Sequence, residues 1–377
     1  MLAIPGLGGA ALRRLLARHG SPSAVLRAGV AGAQGLLSAQ QASHFAKGPQ
    51  EPEALLQRTL RWLDESPQRG LLPLGDPRYP EALLNTPDPP LLLHWAGRLD
   101  LLKQRCVAVV GSRDASAQGN THAAQFGQAL SQAGFCVVSG LALGIDGAAH
   151  EGALQGPGST IAVLGCGLDQ NYPPAHRRLR ERLAQDGLLL SEWLLGTPPR
   201  PAHFPQRNRI IAGLSEGCLV VEAALRSGSL ITARLAAEYG REVFAIPGSI
   251  HEPLAKGCHE LLKQGATLVQ SPQDIFDELL PAQVRAGQTA NKPPLKARTQ
   301  SSPSPRPGAD GTLAQTALSP ALQQVLQVMD SQAVTFDVLQ ARCGIPTETL
   351  QSLLLDLELE GLVARLPGAL LQRLYRA

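Results

Sequence analysis

The chain has 377 residues, a hydrophobic fraction of 44% and a formal net charge of +3 at pH 7. This length predicts two or three domains, and the near-neutral charge excludes a uniformly basic surface, so nucleic-acid binding would have to rest on local clusters of charge. The six cysteines are widely spaced, which favours buried reduced thiols over a disulfide framework. Because there is no signal-peptide pattern and no apolar run of about 18 residues, we expect a cytoplasmic protein that does not enter the membrane.

Residues 1–70 have the apolar spacing of several helices. The turn Pro5-Gly-Leu-Gly-Gly9, followed by Leu12 and Leu15, is typical of a helix-hairpin-helix or SAM-like unit, in which hairpin amides would face a DNA phosphate. A small helical packing module without DNA contacts explains the same residues equally well. Residues 71–104 are rich in proline and leucine and predict a linker-like lead-in that lies against the next domain.

From residue 105 to residue 280, short apolar runs alternate with helical stretches. Such runs predict parallel strands covered by helices on both faces, and therefore a Rossmann-like doubly wound α/β sheet. The predicted strands are 106–110, 135–138, 160–164, 188–190, 218–221, 243–246 and 267–269. The predicted crossover helices lie near 117–133, 145–155, 174–186, 206–214, 229–240 and 256–264. With the lead-in, the predicted core spans residues 71–280.

Small and polar residues follow these strands where each strand ends. Ligands of doubly wound sheets bind at this edge, where glycine and serine turns expose backbone amides and helix N-termini favour anions. Several amide-rich turns on one edge fit a polyanion better than a single small ligand. The candidate residues in these turns are Gly111, Ser112, Ser139, Gly140, Gly144, Gly165, Ser227, Gly228 and Ser229.

Arginine side chains cluster in the same half of the predicted sheet. Residues 173–209 contain seven arginines and three acidic residues, a concentration typical of phosphate-backbone binding. Those on the helix near 174–186 are equally well explained as its solvated face. Arg113 follows a strand-end glycine, and Arg207 and Arg209 flank Asn208 at a predicted helix start, so these four residues complete the candidate site. We expect Arg113 and Arg207 to face the ligand, and their loss to weaken binding without unfolding the protein.

Several motifs of catalysis and cofactor binding are absent from the sequence. There is no Gly-x4-Gly-Lys-Ser/Thr phosphate loop, no Gly-x-Gly-x-x-Gly after the first core strand and no His-Glu-x-x-His zinc motif. Asp146 and His150 lie four residues apart on one predicted helix, but a helix-end cap and a packed histidine explain them better than an acid–base pair does. We expect no enzymatic activity, no metal and no cofactor.

The C-terminal part predicts a flexible linker at 281–315 and a winged helix at 316–377. The linker is polar and rich in Pro, Ser and Thr. The default function of a winged helix is major-groove reading. Its third helix, 347–360, carries four acidic residues and no lysine or arginine. Acidic side chains would be repelled by phosphates, so a role in protein interaction or packing is favoured.

Seven sequence blocks, in their order along the chain, resemble the signature blocks of the DNA-processing protein A (DprA/Smf) family. They are Val107-Ala-Val-Val-Gly-Ser-Arg113, Ser139-Gly-Leu-Ala-Leu-Gly-Ile-Asp-Gly-Ala-Ala-His150, Thr160-Ile-Ala-Val-Leu-Gly165, Phe204-Pro-Gln-Arg-Asn-Arg-Ile-Ile-Ala-Gly213, Val220-Val-Glu-Ala223, Ser227-Gly-Ser-Leu-Ile-Thr-Ala233 and Gly240-Arg-Glu-Val-Phe-Ala-Ile-Pro-Gly248. The resemblance covers about residues 70–280 closely. His176 and Trp193 depart from the family's usual residues.

The resemblance implies a core that binds single-stranded DNA and loads a RecA-type recombinase during natural transformation. It also implies a homodimer, which we expect to form through the core at about 240–275, and single-strand-binding protein as a further partner. Aromatic residues make up 4% of the chain, so amides and arginines would hold the strand, with Phe204 and Tyr172 as candidates for base stacking.

A different class of function remains open beside this one. The core also resembles nucleotide-binding phosphoribohydrolases, which place a catalytic glutamate beside a glycine-rich strand end. Glu222 precedes Ser227-Gly-Ser229 here, but the double glycine of those enzymes is absent. Release of a base from a nucleoside monophosphate would favour the enzyme. A regulator that binds double-stranded DNA through the winged helix is a third interpretation, disfavoured by the acidic third helix.

Overall fold

A computed structural model describes residues 1–280, 320–329, 334–359, 362–366 and 370–373. The chain forms two compact units, one within Met1–Pro293 and the other within Pro294–Ala377. The predicted linker at 281–315 lies outside the described residues.

The N-terminal part of the first unit is helical. Its helices are α1 (Gly9–His19), α2 (Pro22–Gly32), α3 (Ala39–Lys47) and α4 (Pro52–Asp64). Ser21 and Ser38 each accept a hydrogen bond from a backbone amide at the start of α2 and α3, which stabilises these two helix ends. The apolar faces of the helices meet in a small core of their own, which includes Leu12, Leu15 and Phe45.

The rest of the first unit is built on a nine-stranded sheet. Its strands are β1 (Arg69–Pro73), β2 (Leu92–Gly97), β3 (Cys106–Val110), β4 (Cys136–Ser139), β5 (Thr160–Val163), β6 (Leu188–Ser191), β7 (Gly217–Val220), β8 (Glu242–Ala245) and β9 (Thr267–Leu268). Their order across the sheet is β1-β2-β6-β5-β4-β3-β7-β8-β9, and every pair from β6 to β9 is parallel. This confirms the predicted doubly wound sheet.

Helices cover both faces of the sheet. They are α5 (Glu81–Leu84), α6 (Ala117–Gln132), α7 (Ile145–Ala153), α8 (Arg177–Asp186), α9 (His203–Leu214), α10 (Ser229–Glu238), α11 (Lys256–Lys263) and α12 (Pro272–Leu279). Alternate residues of β3 point to opposite faces: Val107 and Val109 pack with residues of α6 and α7, whereas Ala108 and Val110 pack with residues of α9 and α10. The strand order reverses between β3 and β7, because β4, β5 and β6 lie on one side of β3, and β7, β8 and β9 lie on the other. The ligand-binding crevice expected of this fold therefore lies beyond the carboxyl ends of β3 and β7.

The lead-in at 71–104 differs from its prediction as a linker. It supplies β2 and most of β1, which pair antiparallel with each other, and β2 pairs antiparallel with β6. These strands lie at the edge of the sheet, and prolines at 73, 80, 89 and 90 interrupt or bound the segment. Prolines suit edge strands because they cannot donate to a neighbouring strand. Because prolines are typical of turns and linkers, the sequence did not predict these two strands.

The second unit has the predicted winged-helix architecture. Its elements are α13 (Pro320–Val328), β10 (Val334–Thr335), α14 (Phe336–Cys343), α15 (Thr347–Leu359), β11 (Val363–Leu366) and β12 (Leu370–Arg373). The strands form an antiparallel sheet in the order β10-β12-β11. Leu339, Leu350 and Leu354 lie in the buried core between the helices and this sheet.

In the part of the chain that the structure describes, each helix is too short or too polar to span a lipid bilayer. Over the same residues, the histidine, cysteine and acidic side chains form no group of three placed to hold a metal ion.

His150 on α7 is fully buried, as its interpretation as a packed residue requires. Its Nδ1 lies 2.7 Å from Thr160 Oγ1, and that hydroxyl donates to the carbonyl of Val137 at 2.6 Å. The hydroxyl hydrogen is thereby used, so Nδ1 of a neutral imidazole must be the donor to Thr160. Burial lowers the pKa of His150 to about 3, helped by the positive charges of His176 and Arg207.

We predict that His150 makes the protein less stable as pH falls below about 6. The unfolded chain takes up a proton near pH 6.5, whereas the folded chain does not, so each pH unit of acidification costs about 1.4 kcal/mol from this group. His150→Asn keeps a donor but cannot titrate, and should remove this part of the pH dependence. Urea denaturation between pH 7 and pH 5 measures it.

The matched control is His251→Asn, because His251 is exposed. Parallel stability curves for the wild type and His150→Asn would contradict the prediction.

Candidate functional site

An open cleft of about 720 Å³ lies beyond the carboxyl ends of β3 and β7. Its walls are the turn that follows β3, the turn that precedes α10, the start of α9 and the ring of Tyr172. A smaller recess of about 120 Å³, enclosed by Leu141, Leu164 and Phe204 among others, adjoins it. Both share Arg113, Tyr172, Phe204 and Arg207, so they form one site.

Ten of the thirteen candidate residues line this site. Gly111, Ser112, Arg113, Arg207, Asn208, Ser227, Gly228 and Ser229 line the cleft; Gly140 and Gly165 line the recess. The convergence follows from the parallel strands, whose ends meet at one edge.

Arg113 is exposed and stands at the mouth of the site. Its guanidinium lies 5.1 Å from the ring centre of Phe204, and the Phe204 and Tyr172 rings are 5.6 Å apart and tilted by 35°. A guanidinium over an aromatic face is held in a cation–π contact while its outer N–H groups stay free for an anion. The predicted stacking candidates therefore lie beside the best-placed cation.

Arg207, which we expected to face the ligand, is almost fully buried. It is 4% exposed and forms the floor of the cleft, where its guanidinium donates to the carbonyl of Val163. Gly140 lies directly above it, and a side chain at that position would collide with the guanidinium. Burial lowers the pKa of Arg207 to about 10, against the attraction of Asp146, so the side chain is still cationic at pH 7.

The amides of the Gly140 turn are not free for an external anion, contrary to prediction. Asp146 Oδ2 accepts hydrogen bonds from the amides of Gly140 at 3.1 Å and Ala142 at 3.3 Å. Burial raises the pKa of the Asp146 carboxyl, while Arg207 and these amides oppose the shift. The carboxylate thus holds the turn that precedes α7 rather than capping the helix, which has no side-chain cap at its start, and leaves the arginines to attract the ligand.

The structure keeps Ser139, Gly144 and Arg209 away from the cleft surface. Ser139 is fully buried and donates to the carbonyl of Val109 at 2.6 Å. Gly144 has a φ of 72° at the start of α7 and packs against the carbonyls of the Ser112–Arg113 turn. Ser139 and Gly144 thus support the shape of the site without reaching the surface of the cleft.

Arg209 lies on the opposite side of α9, in a network of ion pairs. It pairs with Glu192 and, at 3.2 Å, with Asp88, which also pairs with Arg13 of α1. Burial raises the pKa of Glu192, and the charge of Arg209 counteracts this. Because Asp88 lies in the lead-in, the network joins the helical part, the lead-in and the sheet.

Arg226 was missed by the sequence analysis. It is exposed and lines the cleft beside Ser227 and Ser229, whose hydroxyls are 2.6 Å apart. Its position next to a predicted serine turn was the available signal. Together Arg113, Arg207 and Arg226 give the cleft three cations.

The side chain of Glu222, which follows β7, lies at the start of α6, the helix that follows β3. Its carboxylate accepts from the amide of Ser116 at 2.9 Å and from the Ser116 hydroxyl at 2.5 Å. Gly119 packs against the same carboxylate. In nucleotide-binding relatives of this fold, the phosphate takes that place. Here the chain fills it with its own anion.

Two family models match the chain. DNA recombination-mediator protein A matches residues 70–280, and the DprA winged helix domain matches residues 309–369. Protein Smf of Escherichia coli is 42% identical over 342 residues, which are 90% of this chain and 86% of that protein. DNA processing protein DprA of Streptococcus pneumoniae is 53% identical over 203 residues, 54% of this chain and 72% of that protein.

Two solved structures share the fold. The crystal structure of DprA from Streptococcus pneumoniae has a TM-score of 0.59 and 43% identity, covering 74% of this chain and 95% of that one. DprA from Helicobacter pylori, whose structure concerns its single-stranded DNA binding mode, has a TM-score of 0.52 and 33% identity, covering 56% and 96%.

We predict that Arg209→Ala destabilises the fold by about 3 kcal/mol, because it leaves Glu192 largely buried without its cation. The side chains of Arg209 and Glu192 are 17% and 18% exposed, so solvent screens their interaction little. Urea denaturation at pH 7 measures the change, with the exposed Arg234→Ala as control. Unchanged stability together with weaker ligand binding would instead support the original prediction for Arg209.

Proposed function

We propose, since this chain belongs to the DNA recombination-mediator protein A family, that it binds single-stranded DNA in the cleft and passes the strand to a RecA-type recombinase. The incoming strand would be protected while it is bound, in the setting of natural transformation. The observation that carries the proposal is the group of three cleft arginines, Arg113, Arg207 and Arg226.

The charges of the cleft favour a polyanion. Arg113 is exposed and has no carboxylate partner among the described residues. Two acidic residues also line the cleft: Asp146 is held by the amides of Gly140 and Ala142, and Asp114 is exposed next to Arg113 in the chain. Three arginines against two acidic residues leave the cleft with a net positive charge, and the counterions that phosphates release on binding there would make the affinity salt-dependent.

The aromatic residues favour a single strand over a duplex. Phe204 and Tyr172 are half-buried at the cleft, where one face could receive an unpaired base. A duplex keeps its base faces stacked inside, so this contact would be lost. The Helicobacter pylori relative, whose structure concerns single-stranded DNA binding, supports this choice.

The enzyme alternative finds less support. A catalytic glutamate must reach the substrate, but the Glu222 carboxylate is held by Ser116 at the start of α6. We therefore propose binding without a chemical step.

We also propose that two copies associate through residues at about 240–275. The outermost strand there is β9, and Leu268 on it is 48% exposed. An open strand edge with an exposed apolar residue is a template for pairing with a second chain. A dimer would hold two stretches of strand together and raise the local concentration of recombinase sites, with single-strand-binding protein as a further partner.

We predict that Leu268→Glu converts a dimer to a monomer, because a carboxylate would be buried in the shared edge. Light scattering after size exclusion measures the mass. A wild type that is monomeric at micromolar concentration, or a variant that stays dimeric, would place the interface elsewhere or remove it.

We predict that Arg113→Ala weakens single-strand binding about tenfold or more, since a charge-assisted phosphate contact contributes about 1.5–3 kcal/mol. The slope of log affinity against log salt should fall by about 0.7. Fluorescence anisotropy with an oligothymidylate measures both, and thermal unfolding should be unchanged because Arg113 is exposed. Arg234→Ala is the matched control.

The same variant tests the handing-on of the strand. Wild-type protein should stimulate strand exchange by a RecA-type recombinase on DNA coated with single-strand-binding protein, and Arg113→Ala should not. Equal stimulation by both, or none by the wild type, would contradict the proposed role. Equal affinity for duplex and single strand would contradict the choice of ligand.

A further inference from the structure

We propose that a second, basic groove between α4 and α8 holds a further stretch of the same DNA strand. The groove has a volume of about 740 Å³ and lies between the helical N-terminal part and the sheet. The inference rests on the proposed function, because the strand is first bound in the cleft. It assigns a binding role to the helical part, in which the hairpin of residues 5–9 takes no part.

Five arginines and three acidic residues line the groove. The arginines are Arg58, Arg61, Arg69, Arg177 and Arg180; the acidic residues are Glu65, Asp169 and Glu181. The cations come from three separate segments, namely α4, the start of β1 and α8. Positive charge that converges on a concave surface raises the local potential more than the same charge spread over one helix.

Two of these arginines are available to a ligand. Arg58 and Arg61 are exposed, and neither has a carboxylate partner among the described residues. Arg61 donates to the carbonyl of Gln57 in its own helix at 3.3 Å, and the guanidinium of Arg58 lies against Gly196. Gly196 has a φ of 85°, and a side chain there would collide with Arg58.

Arg69 and Arg177 can each exchange a carboxylate partner for a phosphate. Each pairs with a carboxylate four residues away in sequence, Glu65 and Glu181, and both carboxylates are mostly exposed. Exposed pairs of this kind contribute little to stability. A phosphate can therefore take the place of the carboxylate at small cost.

Arg180 and the loop at 168–172 connect the groove to the cleft. Arg180 donates to the carbonyl of Leu168 and, at 2.6 Å, to that of Gln170, and so holds the loop in shape. Leu168, Asp169 and Asn171 line the groove, whereas Tyr172 lines the cleft. One short loop thus separates the two sites, and a strand that leaves the cleft past Tyr172 meets the arginines of α4 and α8.

The floor of the groove favours phosphate contacts over base stacking. Trp62 is 7% exposed, and the guanidinium of Arg69 lies 5.3 Å from its ring centre. At this low exposure the Trp62 ring offers no free face to a base. We expect contacts that do not depend on sequence, since phosphates are common to all nucleotides.

The test compares two oligothymidylates, of about 6 and about 20 nucleotides, a range that brackets common single-strand site sizes. The protein is the full chain with the double substitution Arg58→Ala and Arg61→Ala. The control is Arg14→Ala with Arg18→Ala, which removes two exposed arginines of α1 that do not line the groove. Anisotropy titrations over a range of salt give the affinity and the salt slope.

We expect the groove variant to bind the longer oligonucleotide about tenfold more weakly, with a salt slope smaller by about 1.4 for two lost phosphate contacts. The loss should be confined to the longer oligonucleotide, and the control should match the wild type. Inorganic phosphate at equal ionic strength should not reproduce the length dependence, which separates a strand from a free anion.

An unchanged affinity and salt slope for the longer oligonucleotide would overturn the proposal that the groove binds DNA. So would an equal loss in the control, because it would trace the effect to net charge. Arg113→Ala keeps this outcome distinct from failure of the proposed function. If Arg113→Ala weakens both lengths while the groove variant behaves as wild type, only the groove is wrong. If neither variant changes binding, the cleft proposal fails as well.

Discussion

A single buried cation, Arg207, determines how the cleft is built. A guanidinium at 4% exposure is costly unless its surroundings compensate it. The carbonyl of Val163 accepts one of its hydrogen bonds, and Asp146 attracts its charge. Gly140 leaves room for it only because it has no side chain. Asp146 in turn holds the amides of the Gly140 turn, so the shape of the turn and the charge beneath it depend on each other.

The turn before α7 and the start of α6, which could each receive a phosphate, are closed by the chain's own carboxylates. Asp146 bonds to the turn before α7, and Glu222 bonds to Ser116 before α6. A mononucleotide bound in the manner of a doubly wound cofactor protein would have to displace one of them. What remains is an open surface with arginines along it. Such a surface suits a polymer of phosphates, which gains from several moderate contacts, better than a small ligand that needs an enclosed pocket.

The helical N-terminal part is joined to the sheet by specific contacts. Trp62 packs with the buried leucines of α8 and β6. Asp88 forms ion pairs with Arg13 of α1 and Arg209 of α9. These contacts fix α4 opposite α8 and so create the basic groove. The groove would not exist if the helical part were tethered loosely, because its arginines come from both sides.

The sequence by itself determined the parallel strands, the crossover helices, the winged helix and most of the turns of the site. These follow from local signals, since short apolar runs, small residues at strand ends and helix caps act within a few residues of themselves. Only the tertiary structure decided the use of the charges. Arg209 is held by Asp88, 121 residues away in sequence, while Arg207 is buried and Arg226 is left in the cleft. The edge strands β1 and β2 likewise needed β6 as a partner. Residues far away in the sequence determine whether a charged side chain pairs within the fold or stays available to a ligand. The local sequence pattern carries no information about these distant partners.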